Sequence, residues 1–265
     1  MGITTGIQWA NATWNPFIGC KKVSPGCKNC YAERDMERYG KNFTSVVRSR
    51  TTFDAPLVWA RNKKLAPGSR IFTCSVSDFF ISQADPWREE AWSIIRRTPE
   101  FVYLILTKRP ERFVECLPGD WGSGYPNVWL GVSAENQMFA NERITILVNT
   151  PAMVRWVSAE PLLAPITFRW APWHRIVGSH HLDGLKQLSW IVTGGESDNT
   201  TPRPMSLDWI RAIRDECQEA GVALFHKQHG GKKKIDGAWG GRVLDDMTWN
   251  QMPGFYKNAL TAELL

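Results

Sequence analysis

Six times along this chain a short apolar, β-rich run ends in a polar or charged cluster. The runs are Ile71 to Asp78, Val102 to Arg109, Val128 to Glu135, Val154 to Glu160, Trp190 to Glu196 and Val222 to Gln228. Helical signals fill several of the gaps between them. With a short first strand at Ile7-Gln8-Trp9, about seven strands are expected. Such alternation calls for parallel strands joined by crossovers. The closing polar residues Asp78, Lys108, Glu135, Glu160, Glu196 and Lys227 recur at intervals of 30, 27, 25, 36 and 31 residues. That period predicts an α/β fold, a partial or complete β/α (TIM-type) barrel with parallel strands. In such barrels the groups just past the strand C-termini line the mouth where chemistry is done. A doubly wound open sheet has the same local pattern and stands as the alternative.

Two helices are well signalled. In Pro86 to Arg97 the apolar spacing is amphipathic, with Asp85 as a cap and Pro86 at the first position. In Ser206 to Ala220, Ser206 is the cap, Leu207, Ile210 and Ile213 face inward, and Gly221 is the stop. The stretch 164–186 breaks the rhythm. It holds Trp170, Trp173, His174, His180 and His181 and is expected to be an inserted surface loop. From Gly230 onward the chain is Gly-rich and basic, a C-terminal extension over 230–265. No second domain is evident, so 1–265 is read as one domain.

The 265 residues are 43% hydrophobic and 22% charged, an ordinary globular balance. No apolar stretch approaches the roughly 20 residues that span a bilayer, so no membrane role is expected. Met1-Gly2-Ile3-Thr4-Thr5 lacks a basic segment followed by an apolar one, which predicts a cytoplasmic protein. The net charge of +6 permits a polyanionic partner. Lys232-Lys233-Lys234, and Arg61 with Lys63-Lys64, are candidates for phosphate contact, against the blander reading of solvated loops. The 14 tryptophans can stack on bases, but core packing is the commoner use of indole. His226 and His229 flank the last strand end, where acid–base work and plain packing are both open.

Cysteines occur at 20, 27, 30, 74, 116 and 217. Three of them form Cys20-x6-Cys27-x2-Cys30, and Cys116 and Cys217 lie in helix-like surroundings as buried thiols. A disulfide framework would spread its cysteines through a small secreted chain, so the cluster is read as metal-binding. Pro25-Gly26 makes a turn, and Cys27 and Cys30 open a helix through Tyr39. The helix N-terminus and Lys21, Lys22 and Lys28 are expected to favour thiolates. Three thiolates can hold a [4Fe-4S] cluster with one iron open, or zinc with a fourth ligand such as Cys74 or a histidine. Redox or structural thiols are a third reading.

A three-Cys loop near the first strand of a β/α chain, ending Cys-x-x-Cys-Tyr, resembles the radical S-adenosylmethionine superfamily. More closely, nearly the whole chain is similar to the phage-type three-Cys-motif family of uncharacterised proteins. The resemblance is carried by Thr13-Trp14-Asn15-Pro16, Gly19-Cys20, Pro25 to Ala32, Ser75-x-Ser77-Asp78, Leu106 to Pro110, Gly131-Val132-Ser133-x-Glu135-Asn136, Ser158 to Leu162, Gly194 to Ser197 and Lys227-Gln228. It implies a [4Fe-4S] cluster on Cys20, Cys27 and Cys30, with S-adenosylmethionine cleaved to a 5′-deoxyadenosyl radical. It also implies an electron donor of the flavodoxin or ferredoxin type. By chain order Ser75, Ser77 and Asp78 would hold the cofactor's amine, and Ser133, Glu135 and Asn136 would lie near its ribose. Gly194 and Gly195 would contact cofactor or substrate closely, while Lys108, Glu160, Glu196 and Lys227 would serve catalysis on the substrate side. Two features depart from the superfamily pattern. The first cysteine gap is six residues instead of three, and the Gly-Gly-Glu follows a late strand instead of the second.

The expected function is therefore a radical enzyme acting on a nucleic acid or nucleotide-like substrate. The alternatives are a zinc-stabilised nucleic-acid-binding protein and a cluster-bearing regulatory protein without catalysis.

Overall fold

The β-rich runs become strands, and nearly all of them stop before their polar clusters. The structure is a computed structural model that describes residues 3, 5–169, 172–173, 175–177, 180–197 and 201–254. The chain divides into two units, Met1–Ser133 with Asn149–Val154, and Ala134–Val148 with Arg155–Leu265.

The first unit runs β1 (Ala12–Trp14), β2 (Phe17–Ile18), α1 (Tyr31–Arg38), β3 (Val47–Arg48), α2 (Ala55–Arg61), β4 (Arg70–Thr73), α3 (Asp85–Arg97), β5 (Val102–Thr107), α4 (Phe113–Cys116) and β6 (Val128–Ser133). β1 pairs with β4, β4 with β5 and β5 with β6, all parallel. β2 and β3 form a small antiparallel pair. The second unit takes nearly all of α5 (Gln137–Asn149) and β7 (Val154–Ala159). It continues through β8 (Arg175–Val177), β9 (His180–Leu182), β10 (Trp190–Gly194), α6 (Leu207–Ala220), β11 (Ala223–Gln228), β12 (Lys234–Ile235) and β13 (Ala238–Trp239). β7 pairs with β10 and β10 with β11, again parallel. Within neither unit does the order of the parallel strands reverse, which is barrel-type winding and not the doubling back of a doubly wound sheet. The expected α/β class with parallel strands is borne out.

Local chemistry sets the ends. Cys74 takes a left-handed φ of 63°, so β4 cannot continue past Thr73. α3 and α6 form where the spacing placed them. Pro86 opens α3, although the cap is Ala84 and Asp85 is the first helical residue. The Ser206 side chain accepts from the Asp208 N–H, and Gly221 closes α6 at φ 70°.

Two expectations need correction. Ile7-Gln8-Trp9 is not a strand: Ala10 N–H donates to Ile7 O in a turn, and Trp9 is buried with its ring 4.9 Å from Phe72. The first strand is Ala12–Trp14. The stretch 164–186 is not a bare surface loop, because it carries the β8–β9 hairpin and buries Phe168, Trp173 and Leu185. Trp170 and His174, and the side chains of His180 and His181, lie outside the described residues. The tryptophans serve packing: among the described residues Trp9, Trp14, Trp59, Trp92, Trp121, Trp129, Trp156, Trp173, Trp190 and Trp249 are buried.

The first unit's core is an aromatic chain, with Phe79 against Phe17 at 5.8 Å and against Trp92 at 4.8 Å. Arg88 of α3 donates to the carbonyls of Phe79 and Ile81 from inside this core. That fixes the segment after β4, including Asp78. In the second unit Trp156 and Trp190 stack at 5.3 Å, and Phe225 meets Trp190 at 6.3 Å. Cys116 and Cys217 are buried free thiols, as expected, and so is Cys74.

Candidate functional site

In the first unit the cysteine loop is held by its backbone. Gly19 sits at φ 104°, where a Cβ would stand 2.7 Å from Ser45 O and 2.9 Å from Phe43 O. Only glycine fits that approach. Its N–H donates to Val76 O, its carbonyl accepts from Ser77 Oγ at 2.6 Å, and Cys20 N–H donates to Phe43 O. Cys27 ends a short helical turn, Pro25–Cys27, and Cys30 is the N-cap of α1. Tyr31 Oη donates to Ser75 O at 2.5 Å, pinning the helix start to the chain after β4. Asn15 is buried and braces the same segment through Ser75 Oγ and Val76 N–H.

Asp78 and Arg109 join the loop to the strand ends. Asp78 Oδ1 accepts from Phe80 N–H at 3.0 Å and Thr107 Oγ1 at 2.7 Å. Its Oδ2 accepts from Lys108 N–H at 3.0 Å and Arg109 Nη1 at 2.9 Å. Four donors saturate a carboxylate. Arg109 Nη1 also lies 3.7 Å from Cys20 Sγ, and Nη2 donates to Lys21 O at 2.7 Å. The Arg109 guanidinium takes the protein's own carboxylate. A ligand amine aimed at Asp78 would have to displace one of these donors.

The three cluster thiols are partly exposed. Burial pushes the Cys20 thiol up to about 11, reinforced by Asp78 and opposed by Arg109. Burial also raises Cys30, with the backbone N–H groups of Glu33 and Ala32, and more weakly the Lys108 charge, pulling the other way. The expectation that nearby lysines keep these two as thiolates is corrected: desolvation outweighs them, and Lys22 is spent on Glu33 at 2.6 Å. A metal would therefore displace protons as it bound. Among the described residues no three His, Cys, Asp or Glu groups are already gathered at metal-binding distance. The donor chemistry nonetheless fits a thiophilic metal group. Three reachable thiols share one loop, Cys27 acts electrostatically on both Cys20 and Cys30, and a guanidinium stands over Cys20.

The second unit collects the later strand ends. Glu135 and Arg143 form a buried pair at 3.0 Å, and Asn136 Oδ1 accepts from Phe139 N–H at the start of α5. Glu196 is buried and grips Arg203 through its N–H, Nε and Nη2. Glu135, Asn136 and Glu196 are thus committed within the protein, while Ser133 lies buried at the end of β6 in the first unit. Glu160 differs. Its Oε2 accepts from Ser158 Oγ, but buried Oε1 has no hydrogen-bond partner among the described residues. Lys227 Nζ stands 3.4 Å away, inside ion-pair range without making a hydrogen bond.

The two glycines make room for chain and not for an outside molecule. A Cβ on Gly194 would stand 2.1 Å from Glu160 Oε1, and one on Gly195 would stand 1.9 Å from His229 O. The consequences should differ, because a carboxylate tip can swing and a backbone carbonyl cannot. Gly194→Ala is expected to keep the fold, with Glu160 swinging aside and the thermal midpoint moving by about a few degrees. Gly195→Ala is expected to lose several kcal/mol, on the order of an overpacked core site or worse. Chemical denaturation of the two variants checks this, and equal stability would contradict it.

Beside them runs a hydrogen-bond chain. His229 Nε2 faces Val243 O at 3.0 Å, His229 Nδ1 faces His226 Nε2 at 3.0 Å, and His226 Nδ1 faces Thr193 Oγ1 at 2.9 Å. A carbonyl only accepts, so Nε2 of His229 carries hydrogen. With both rings neutral, His226 donates to His229 and Thr193 donates to His226. Burial first, then His229 and Arg242, push the His226 imidazole down to about 3, so it is uncharged at neutral pH.

Arg143 and Arg203 were not picked out from the sequence as partners of Glu135 and Glu196. They stand eight and seven residues from those acids, with no local pattern to flag them.

The first unit thus combines parallel βα units with a three-cysteine loop beside an Arg–Asp brace. The chain belongs to the family described as "Protein of unknown function (DUF5131)", which matches residues 4–253 and so takes in both units. No curated protein and no solved structure matches it. No helix among the described residues is long and apolar enough to cross a membrane.

Proposed function

We propose that this protein is a radical S-adenosylmethionine enzyme whose Cys20, Cys27 and Cys30 hold a [4Fe-4S] cluster, and whose substrate is a nucleic acid or nucleotide-like molecule. The observation that carries the reading is the loop itself: three reachable thiols with Arg109 placed against Cys20 Sγ. When bound, the cluster would supply one-electron reductive cleavage of S-adenosylmethionine and a 5′-deoxyadenosyl radical, fed by a flavodoxin or ferredoxin type of donor.

The chain's own residues do the rest. Arg109 donates toward Cys20 Sγ and steadies negative charge there, while Asp78 holds Arg109 in place. Lys108 acts on the Cys30 thiol, and among the described residues no carboxylate is at ion-pair distance from it. Glu160 offers an Oε1, without a hydrogen-bond partner among the described residues, that can accept a hydrogen bond or a proton from a bound molecule, and Lys227 balances its charge. Since Asp78 in the first unit and Glu135 and Glu196 in the second are occupied by internal partners, the groups left for ligand contact are Lys108 within the first unit and, separately, Glu160 and Lys227 within the second.

Anaerobic reconstitution with iron and sulfide tests the reading. The expected product is brown protein with about four irons per chain, whose reduced electron paramagnetic resonance signal changes when S-adenosylmethionine is added. Colourless protein with stoichiometric zinc would overturn it in favour of a zinc-stabilised binding protein. A cluster that never cleaves the cofactor would point to a regulatory protein.

A further inference from the structure

Several cations of the unit holding Glu160 and Lys227 are spent on carboxylates of the same unit. Arg143 pairs with Glu135, Arg169 with Asp183, Arg203 with Glu196, Arg211 and Arg214 with Asp245, and Lys227 with Glu160. One short segment does not follow this pattern. Lys232, Lys233 and Lys234 are consecutive and exposed, and among the described residues none has a carboxylate at ion-pair distance. Asp236 is the one acid close to them in sequence.

These lysines are not on a loose tail. Lys234 pairs with Trp239 and Ile235 with Ala238 in the antiparallel ribbon of β12 and β13. Asp236 and Gly237 turn it at φ 49° and 82°, the two left-handed positions of a tight hairpin turn that matches strand twist. The base is clamped by backbone. Gly230 N–H donates to Trp239 O, Gly240 N–H donates to Lys233 O, and Gly231 N–H donates to Glu196 O. Gly240 lies so close that a Cβ there would be 2.0 Å from Gly230 O. Ala238 is buried beneath the ribbon, whereas Trp239 is half-exposed with Lys234 Nζ 5.5 Å above its ring. The clamp begins two residues after Gln228, the last residue of β11, so the ribbon is rooted at the same strand end as Lys227.

We propose that the β12–β13 ribbon is a nucleic-acid docking element, in which Lys232, Lys233 and Lys234 contact backbone phosphates and the Trp239 ring offers a face for a base. A rigid row of uncompensated ammonium groups next to an indole suits a polyanion with π-faces. A membrane surface would call for a broad apolar face. The ribbon instead presents only Ile235 and the half-exposed Trp239, with a carboxylate next to Ile235. The inference deepens the nucleic-acid part of the reading above and rests on none of its radical chemistry.

The test is fluorescence anisotropy of the full chain with labelled single-stranded and duplex oligonucleotides over a salt series, with phosphatidylserine vesicles run in parallel. It needs no cluster, so its failure and that of the radical reading are distinguishable. Combined Lys232→Ala, Lys233→Ala and Lys234→Ala should weaken oligonucleotide binding roughly tenfold to hundredfold at about 0.1 M salt and flatten the log–log salt slope by about 2 to 3. Asp236→Lys should tighten binding and steepen the slope by roughly 1, a gain that a damaged fold could not produce. No binding by the unaltered protein, unchanged binding by the triple variant, no gain from Asp236→Lys, or preference for vesicles over oligonucleotides would each overturn the proposal.

Discussion

Cys27→Ala is expected to leave the protein without iron and without any cleavage of S-adenosylmethionine, whereas Cys217→Ala keeps both. The contrast follows from where the two thiols sit. Cys27 ends a turn in the partly exposed loop and acts electrostatically on Cys20 and Cys30. Cys217 lies fully buried on α6, where burial drives its thiol far above the ordinary range. A buried, protonated thiol is inert toward metal. Two remaining cysteines cannot replace a three-thiolate grip, so the loss should be nearly complete and not graded. Iron and sulfide analysis after identical reconstitution decides it. Normal iron in the Cys27 variant would remove the ligand assignment.

The second large effect concerns the fold. Arg143→Ala should lower stability by roughly 3–5 kcal/mol, because it strips the buried Glu135 carboxylate of the guanidinium that pairs with it at 3.0 Å. Glu135 is 0% exposed and Arg143 2%, so water cannot screen the carboxylate's charge. Arg143 also lays its guanidinium 4.2 Å over the Phe139 ring, and truncation to alanine removes that cation–π stacking as well. The midpoint of thermal unfolding should drop by about 10 °C or more. The double change Glu135→Gln with Arg143→Met should recover much of the stability, since both charges are then removed together. A single variant as stable as the parent would show that the pair contributes nothing.

The strands were legible because runs such as Val102 to Leu106 combine β-branched and large apolar residues with an abrupt polar stop. Most of their ends were overrun, by up to five residues, since Glu135 and Asp78 belong to the chain after the strand. Ile7-Gln8-Trp9 misled for the opposite reason: apolar residues can be buried from a turn as well as from a strand. The cysteine loop was legible because its spacing is local. The partners of its strand-end acids were not. Nothing near Asp78 in sequence announces Arg109, 31 residues on, as its ion-pair partner, and a lone carboxylate at a strand end looks the same whether it awaits a ligand or a guanidinium. The stretch 164–186 was misjudged because its composition reads as loop, while the burial of Phe168 and Trp173 depends on tertiary packing.

Arg109 touches the loop at Lys21 O and Cys20 Sγ and touches the scaffold at Asp78. One side chain is therefore a hinge pin between the sulfur-bearing strap and a frame anchored by Arg88. A displacement of Cys20 Sγ would thus bear on Arg109 and, through Asp78, on the chain that follows β4 and β5.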